Sequence, residues 1–274
     1  MAKLLTALSA RKLLFDGAMG TQLQKRGLTQ DPVLLNLTHA KQVTEVHRAY
    51  LEAGADIIIA NTFGAYKHKH DNFKDIIHAA LTNARAAMQG THDKWLALDL
   101  GPTGLMLEPY GDATPEECAD IYSATIDTGV SQGVDLILIE TMMDLTELEI
   151  AVTSAKATGL PVFATMTFDK NGRTMMGASI KDMVSLLEGL GADAIGMNCG
   201  FGPDIYANLA KELRLATSLP TIIQPNAGLP TTAPDGSSGY DLTVSDFVKI
   251  VSQIDANIIG GCCGTSPEHI AGLR

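Results

Sequence analysis

Apolar residues gather in eight short runs, at 13–17, 56–61, 95–101, 135–141, 162–168, 194–200, 221–228 and 257–263. Most of these runs, such as DLILIET at 135–141, are continuously hydrophobic instead of alternating with polar residues. A strand covered on both faces gives this pattern, because neither side of its pleat meets water, and such strands belong to parallel sheets. Between the runs the spacing becomes helical. Thr114-Pro115-Glu116-Glu117 predicts a helix start, with a capping hydroxyl, proline at the first helical position and acids in the first turn, and the helix runs over 115–132. Thr38 is expected to open a helix over 39–53 that closes on Gly54, and Asp144 one over 144–158 that closes before Pro161. Pro203 opens 203–217, Thr243 opens 243–254, and Ser266-Pro267-Glu268 opens a last helix.

Eight strand–helix units in 274 residues predict an α/β fold, a closed (β/α)8 barrel of the TIM type, whose usual size is about 250 residues. The competing arrangement is an open doubly wound sheet. The even spacing, and the lack of a G-x-G-x-x-G after the first strand, favour closure. No linker or low-complexity tract interrupts the chain, so residues 1–274 are expected to form one domain. The stretch 229–242 (LPTTAPDGSSGYDL) reads as a surface loop on the face where the strands end.

Composition narrows the function. With 20 basic against 31 acidic residues the net charge is −11, and no Lys/Arg cluster stands out, so a surface that neutralises nucleic-acid phosphates is not expected. No apolar run reaches the ~18 residues that cross a bilayer. The N-terminal MAKLLTALSAR lacks the long apolar centre of a signal peptide and is expected to run straight into the first strand. Four cysteines in a chain of this length make no disulfide scaffold, and the neighbours Cys262 and Cys263 are poorly placed to bond each other. Free thiols in a reducing cytoplasm fit better.

In a closed barrel the chemistry sits where the strands end. Those ends carry Asp16-Gly17, Asn61-Thr62, Asp99, Glu140-Thr141, Asn198-Cys199-Gly200, Gln224-Pro225-Asn226 and the GGCCGT segment at 260–265. Three of the four cysteines lie here and converge from two strands; Cys118, inside the helix 115–132, reads as a packing residue. The three can be packing thiols too, since buried cysteine is a common small hydrophobe. As ligands they suggest zinc, which accepts sulfur and keeps an open position in catalytic sites. Three thiolates on a dication make a poor electrophile, ill suited to polarising a carbonyl. They leave a substrate thiol bound as a nucleophilic thiolate, so the ligand set points to thiol alkylation. Glu140, at the end of an apolar strand, is costly to bury without a partner. Asp16 can be a simple turn residue, Asp99 and Asn226 can be hydrogen-bonding barrel residues, and His68 and His70 read as solvated. An aldolase with a lysine Schiff base ranks low, because Lys170 is the sole lysine near a strand end.

The segments FDGAMGT (15–21), ANTFGA (60–65), GPTG (101–104), MNCG (197–200), QPNAG (224–228) and GGCCGTSPEHI (260–270) resemble the homocysteine S-methyltransferase family. MTFDKNGRT (166–174) resembles its cobalamin-dependent methionine synthase branch, at the N-terminal homocysteine-binding domain. The resemblance runs from about residue 11 to the end. It implies a (β/α)8 barrel with zinc on Cys199, Cys262 and Cys263, which then carry the catalysis through the metal. It implies homocysteine as the small-molecule thiol, with its amino and carboxylate groups near Asp16, Gly17, Asn61, Thr62 and Glu140; Asn198 and Asn226 are further candidate contacts. Methylcobalamin is then the expected methyl donor, supplied by a corrinoid protein or domain as partner, because the chain holds no D-x-H-x-x-G corrinoid motif. The chain is then either a stand-alone enzyme fed by a separate carrier or a piece of a longer one. The alternatives are an S-methylmethionine or betaine donor, which the low aromatic content of 5% disfavours, another thiol acceptor, or a non-catalytic zinc barrel that docks a corrinoid protein.

Overall fold

The computed structural model describes residues 2–232 and 238–274. Each of the eight apolar runs contains a strand: β1 (Leu13–Leu14), β2 (Ile57–Ile59), β3 (Trp95–Leu100), β4 (Leu136–Met142), β5 (Val162–Met166), β6 (Ala194–Asn198), β7 (Thr221–Gln224) and β10 (Ile258–Ile259). They pair in parallel in the order β1-β10-β7-β6-β5-β4-β3-β2. A parallel bridge between Phe15 and Ile57 joins β1 to β2 and closes the ring. Where these two short strands meet, Asp56 pins the seam. It accepts both guanidinium nitrogens of Arg11 at 2.8 and 2.9 Å, Lys94 Nζ at 3.3 Å and the Leu14 amide at 3.0 Å.

Continuous hydrophobicity resolves into two faces once the barrel closes. Leu13, Phe15, Ile57, Trp95, Ala97, Leu136, Leu138, Phe163, Ala194, Ile222 and Ile258 form one cluster, the barrel interior. The intervening residues, among them Leu14, Ile58, Leu96, Leu98, Ile137 and Ile139, pack outward under the helices. Side chains alternate along a strand, so the next inward position after Ala97 is Asp99, after Leu138 Glu140, after Gly196 Asn198 and after Ile222 Gln224. The interior is apolar below and polar at its C-terminal mouth.

The helices are α1 (Ala2–Ala10), α2 (Gly20–Gln24), α3 (Leu35–Thr38), α4 (Ala40–Ala53), α5 (Phe73–Met88), α6 (Pro115–Val130), α7 (Leu145–Lys156), α8 (Ile180–Gly189), α9 (Pro203–Ala216), α10 (Val244–Val251) and α11 (Pro267–Ala271). Thr114, Asp144 and Thr243 cap α6, α7 and α10 through side-chain oxygens, and Ser266 caps α11 in a capping box. Three expectations are corrected. Thr38 does not cap the helix of 39–53; it ends α3, its hydroxyl donating to Leu34 O, and His39 precedes α4. The N-terminus does not run straight into β1 but forms α1, whose Leu4 and Leu8 join the interior cluster. The stretch 229–242 is not wholly loop: β8 (Pro230–Thr232) and β9 (Ser238–Tyr240) pair as an antiparallel hairpin. Residues 233–237 of that stretch lie outside the described residues. His70 is largely covered, 3.6 Å from Asp31, while His68 is exposed and stacks on Tyr66. Among the described residues no helix is long and apolar enough to cross a membrane.

Candidate active site

Two turns bring the three mouth cysteines together. Cys199 follows β6 with a left-handed backbone, φ +61°, and its amide donates to Gln224 O at 3.0 Å. A non-glycine residue held there is strained, and the bend carries its sulfur towards β10. After β10 the chain turns tightly through Gly264: the Cys262 amide donates to Pro225 O at 2.9 Å, and Thr265 Oγ1 donates back to Cys262 O at 2.7 Å. The sulfurs of Cys199, Cys262 and Cys263 all lie within 4.8 Å of one another, with Cys199 and Cys263 at 4.0 Å. Ligand sulfurs on one tetrahedral zinc, each ~2.3 Å from it, sit about 3.8 Å apart. The donor set and spacing therefore fit such an ion. Hydrogen bonds from Cys199 and Cys262 hold the Cys263 thiol down to about 3, while its bonds to Cys199 and Cys263, then burial, push Cys262 well up. Cys118 is buried in α6 and far from this behaviour; burial, then the charge of Glu147, pushes it up to about 12.

Beside the sulfurs lies a pocket of acids. A register shift between Ile139 and Met142 sets Glu140 and Thr141 opposite the single residue Thr165 on β5. This is a β-bulge, a device that re-aims side chains near active sites. Thr141 takes φ +61°, an outlying conformation for a β-branched residue. Asn198 holds it there: Oδ1 accepts from the Thr141 amide at 2.8 Å and from Thr165 Oγ1 at 2.8 Å, while Nδ2 donates to Thr141 Oγ1 at 2.8 Å and to Glu140 Oε2 at 3.0 Å. The same Nδ2 lies 3.9 Å from Cys262 Sγ.

Burial pushes Glu140 up to about 8, and the charge of Cys263 adds to it. Burial also lifts Asp16 well above the carboxylate range, against the Ile59 amide, with Glu140 adding to the rise. Asp99 goes the same way through burial and then the charges of Glu140 and Asp16. Among the described residues no lysine or arginine bonds to any of the three. Among the described residues, buried oxygens of Asp16 (Oδ1), Asp99 (Oδ1), Gln224 (Oε1) and Asn226 (Oδ1) have no hydrogen-bond partner. All are acceptors, so the pocket matches a ligand that brings donors and positive charge.

The remaining candidates are held otherwise. Asn61 Nδ2 donates to Pro32 O at 2.7 Å and to Asn36 Oδ1 at 3.2 Å, and Thr62 Oγ1 bridges the backbone of Asp99, donating to its carbonyl and accepting from its amide. Their side chains fix the loop after β2. Gly17 lies where a Cβ would meet Thr265 Oγ1 at 2.5 Å and Tyr50 Oη at 2.9 Å, so only backbone fits there. The sequence places Gln224 and Thr141 at strand ends but gives neither a role, and it does not reveal that Thr141 and Thr165 brace Asn198.

A family model for homocysteine S-methyltransferase matches residues 13–274. The methionine synthase of Mycobacterium tuberculosis is 32% identical over an alignment that takes in 97% of this chain and 25% of that protein. The methionine synthase of Mycobacterium leprae is 30% identical, over 97% of this chain and 24% of that protein. The chain thus spans about a quarter of the length of these curated relatives. Among solved structures, the metallated form of the homocysteine methyltransferase MmuM from Escherichia coli superposes with a TM-score of 0.82 at 24% identity, covering 99% of this chain and 98% of that one, a likeness of fold. The family match takes in every barrel strand, the bulge at Glu140 and all three mouth cysteines, and the chain belongs to the homocysteine S-methyltransferase family.

Proposed function

We propose that residues 1–274 form one homocysteine-binding barrel that methylates homocysteine to methionine, with zinc held by Cys199, Cys262 and Cys263. The observation that carries this is the set of three sulfurs within 4.8 Å of one another beside an acidic pocket. Bound zinc would supply a means of holding the substrate thiol as thiolate at neutral pH. The chain's own residues do the rest. Asp16 and Glu140, with Asp99 behind them, take up the substrate ammonium, whose charge relieves the repulsion among the three carboxyls. Asn198 fixes Glu140 for that contact, and Asn226 offers an oxygen from between Pro225 and Ala227, whose backbones bond to Cys262 and Cys263. Backbone N–H groups around Gly17 and the loop of Asn61 and Thr62 meet the substrate carboxylate. The substrate thiolate attacks the methyl carbon in line; the new S–C bond forms as the bond to the donor breaks, and the electron pair leaves with the donor.

The donor we propose is methylcobalamin carried by a corrinoid partner protein or domain. Its support is the methionine synthase relatives and the low aromatic content, which leaves little to bind a sulfonium or ammonium donor. The cytoplasm is the compartment that keeps these thiols reduced. The test is methionine formation by the purified, zinc-loaded chain with homocysteine and either free methylcobalamin, S-methylmethionine or betaine. Turnover should be fastest with methylcobalamin. Faster turnover with a sulfonium donor overturns the donor assignment, and no turnover with any of them makes the barrel a docking module.

A further inference from the structure

Of the three clustered cysteines only Cys199 has a positive φ, +61°. A side-chain-bearing residue stays in that region only where its surroundings over-determine it. The angle φ turns Cys199 against the peptide plane before it, so whatever fixes the peptide between Asn198 and Cys199 also aims the sulfur. That peptide is held at both ends. The Cys199 amide donates to Gln224 O at 3.0 Å, across to β7. The Asn198 carbonyl accepts two side-chain hydroxyls, Tyr206 Oη at 2.8 Å and Thr167 Oγ1 at 3.0 Å. A carbonyl oxygen has two lone pairs, and both are engaged here. Tyr206 is fully buried and stands in the first turn of α9. Only residues 199–202 connect β6 to α9. Helical side chains lean towards the N-terminal end of their helix, so the phenol reaches back to the strand that α9 follows. Beyond Cys199 the turn closes with the Phe201 amide on Cys199 O at 2.8 Å. Gly200, φ +67°, leaves room for this packing: a Cβ there would stand 2.9 Å from Thr167 Cγ2 and 3.5 Å from Tyr206 Oη.

We propose that Tyr206 is a positioning residue for the metal centre: its hydroxyl locks the Asn198–Cys199 peptide, keeps Cys199 in its left-handed conformation, and so presents the Cys199 sulfur to zinc beside Cys262 and Cys263. This rests on the zinc reading proposed above. Tyr206 acts through the backbone at the end of β6. Without its hydroxyl the peptide can rotate, φ relaxes, and the Cys199 sulfur swings away from the other two. Those two ride on a separate turn, bonded to the backbones of Pro225 and Ala227, so the loss falls on Cys199.

Tyr206→Phe keeps the ring and removes only the hydroxyl. Tyr122→Phe is the control, because that hydroxyl is also buried and donates to Gly101 O at 3.0 Å and Glu147 Oε1 at 3.1 Å, with no bond to the cysteine segments. Parent and both variants are titrated with zinc against a chromophoric chelator, without denaturant. Zinc is expected to bind Tyr206→Phe roughly tenfold more weakly, the scale for losing a group that orients a metal ligand. Tyr122→Phe should bind it as tightly as the parent. The zinc-loaded proteins are then treated with iodoacetamide, and the alkylated cysteines are mapped by mass spectrometry with fragmentation. Cys199 should be alkylated faster in Tyr206→Phe, while Cys262 and Cys263 keep their parental rates. Equal zinc affinity in the parent and Tyr206→Phe overturns the proposal. So does an equal loss in Tyr122→Phe, or an equal rise in alkylation at all three cysteines, since either would mean a general loosening of the barrel. A parent that binds no zinc overturns the metal reading, and this proposal with it.

Discussion

Asn198 Nδ2 donates to Glu140 Oε2 at 3.0 Å, and the residue after Asn198 is Cys199, one of the three clustered sulfurs. One strand end therefore orients the acid of the pocket and delivers a thiol to the cysteine cluster. A shift of β6 would disturb both at once, so the Glu140 carboxyl and the Cys199 sulfur are set by the same backbone.

Each of Cys199→Ser, Cys262→Ser and Cys263→Ser should lower bound zinc from about one per chain towards none, and Cys118→Ser should leave it unchanged. Elemental analysis after removal of free metal reads this directly. Zinc lost from the Cys118 variant, or kept by one of the others, shows that the ligand set is different.

Glu140→Gln removes a charge but keeps the size and an oxygen for Asn198 Nδ2. Zinc content and thermal stability should stay at parental values. Homocysteine binding should weaken by about 1.5–3 kcal/mol, the scale of a hydrogen bond to a charged group. Calorimetry with thiols that lack an amino group should show parent and variant alike; an equal loss for those thiols would make Glu140 a structural residue.

Asn198→Ala should destabilise the fold by about 2–4 kcal/mol, because the Thr141 amide and the Thr165 hydroxyl lose their acceptor inside the barrel. Urea unfolding measures it. A loss below ~1 kcal/mol would mean that water or a neighbour takes over these bonds and that the bulge does not depend on Asn198.

His47 in α4 is fully buried, and neither ring nitrogen has a hydrogen-bond partner among the described residues. Burial lowers it from 6.5 to about 3. Between those values the unfolded chain binds the proton and the folded one does not, so stability rises with pH across that window. The contribution is complete above pH 6.5 and is lost on acidification, by up to ~5 kcal/mol. Unfolding free energies measured from pH 7 to 4 should show this slope, and His47→Leu should flatten it without loss of stability at pH 7. An unchanged slope in the variant would assign the acid sensitivity to other groups.

Much of this protein follows from its sequence because the relevant physics is local. Runs such as Leu136–Ile139 bury both faces, Thr114, Asp144, Thr243 and Ser266 cap helices within three residues of themselves, and the three strand-end cysteines can be picked out by position. The inward and outward rows were not separable, since a strand apolar on both sides carries no mark of which side faces the barrel axis. That distinction came with closure, and it turned Asp99, Glu140, Asn198 and Gln224 into one polar layer. The bulge at Glu140 and Thr141 depends on register against β5. The work of Asn198 depends on partners 57, 58 and 33 residues away. Tyr240 reads in sequence as one residue of a polar loop, and only the return of its hairpin packs its ring onto Gly264. Periodicity and capping are written in neighbouring residues; register, shared hydrogen bonds and the approach of one loop to another arise only when distant segments meet.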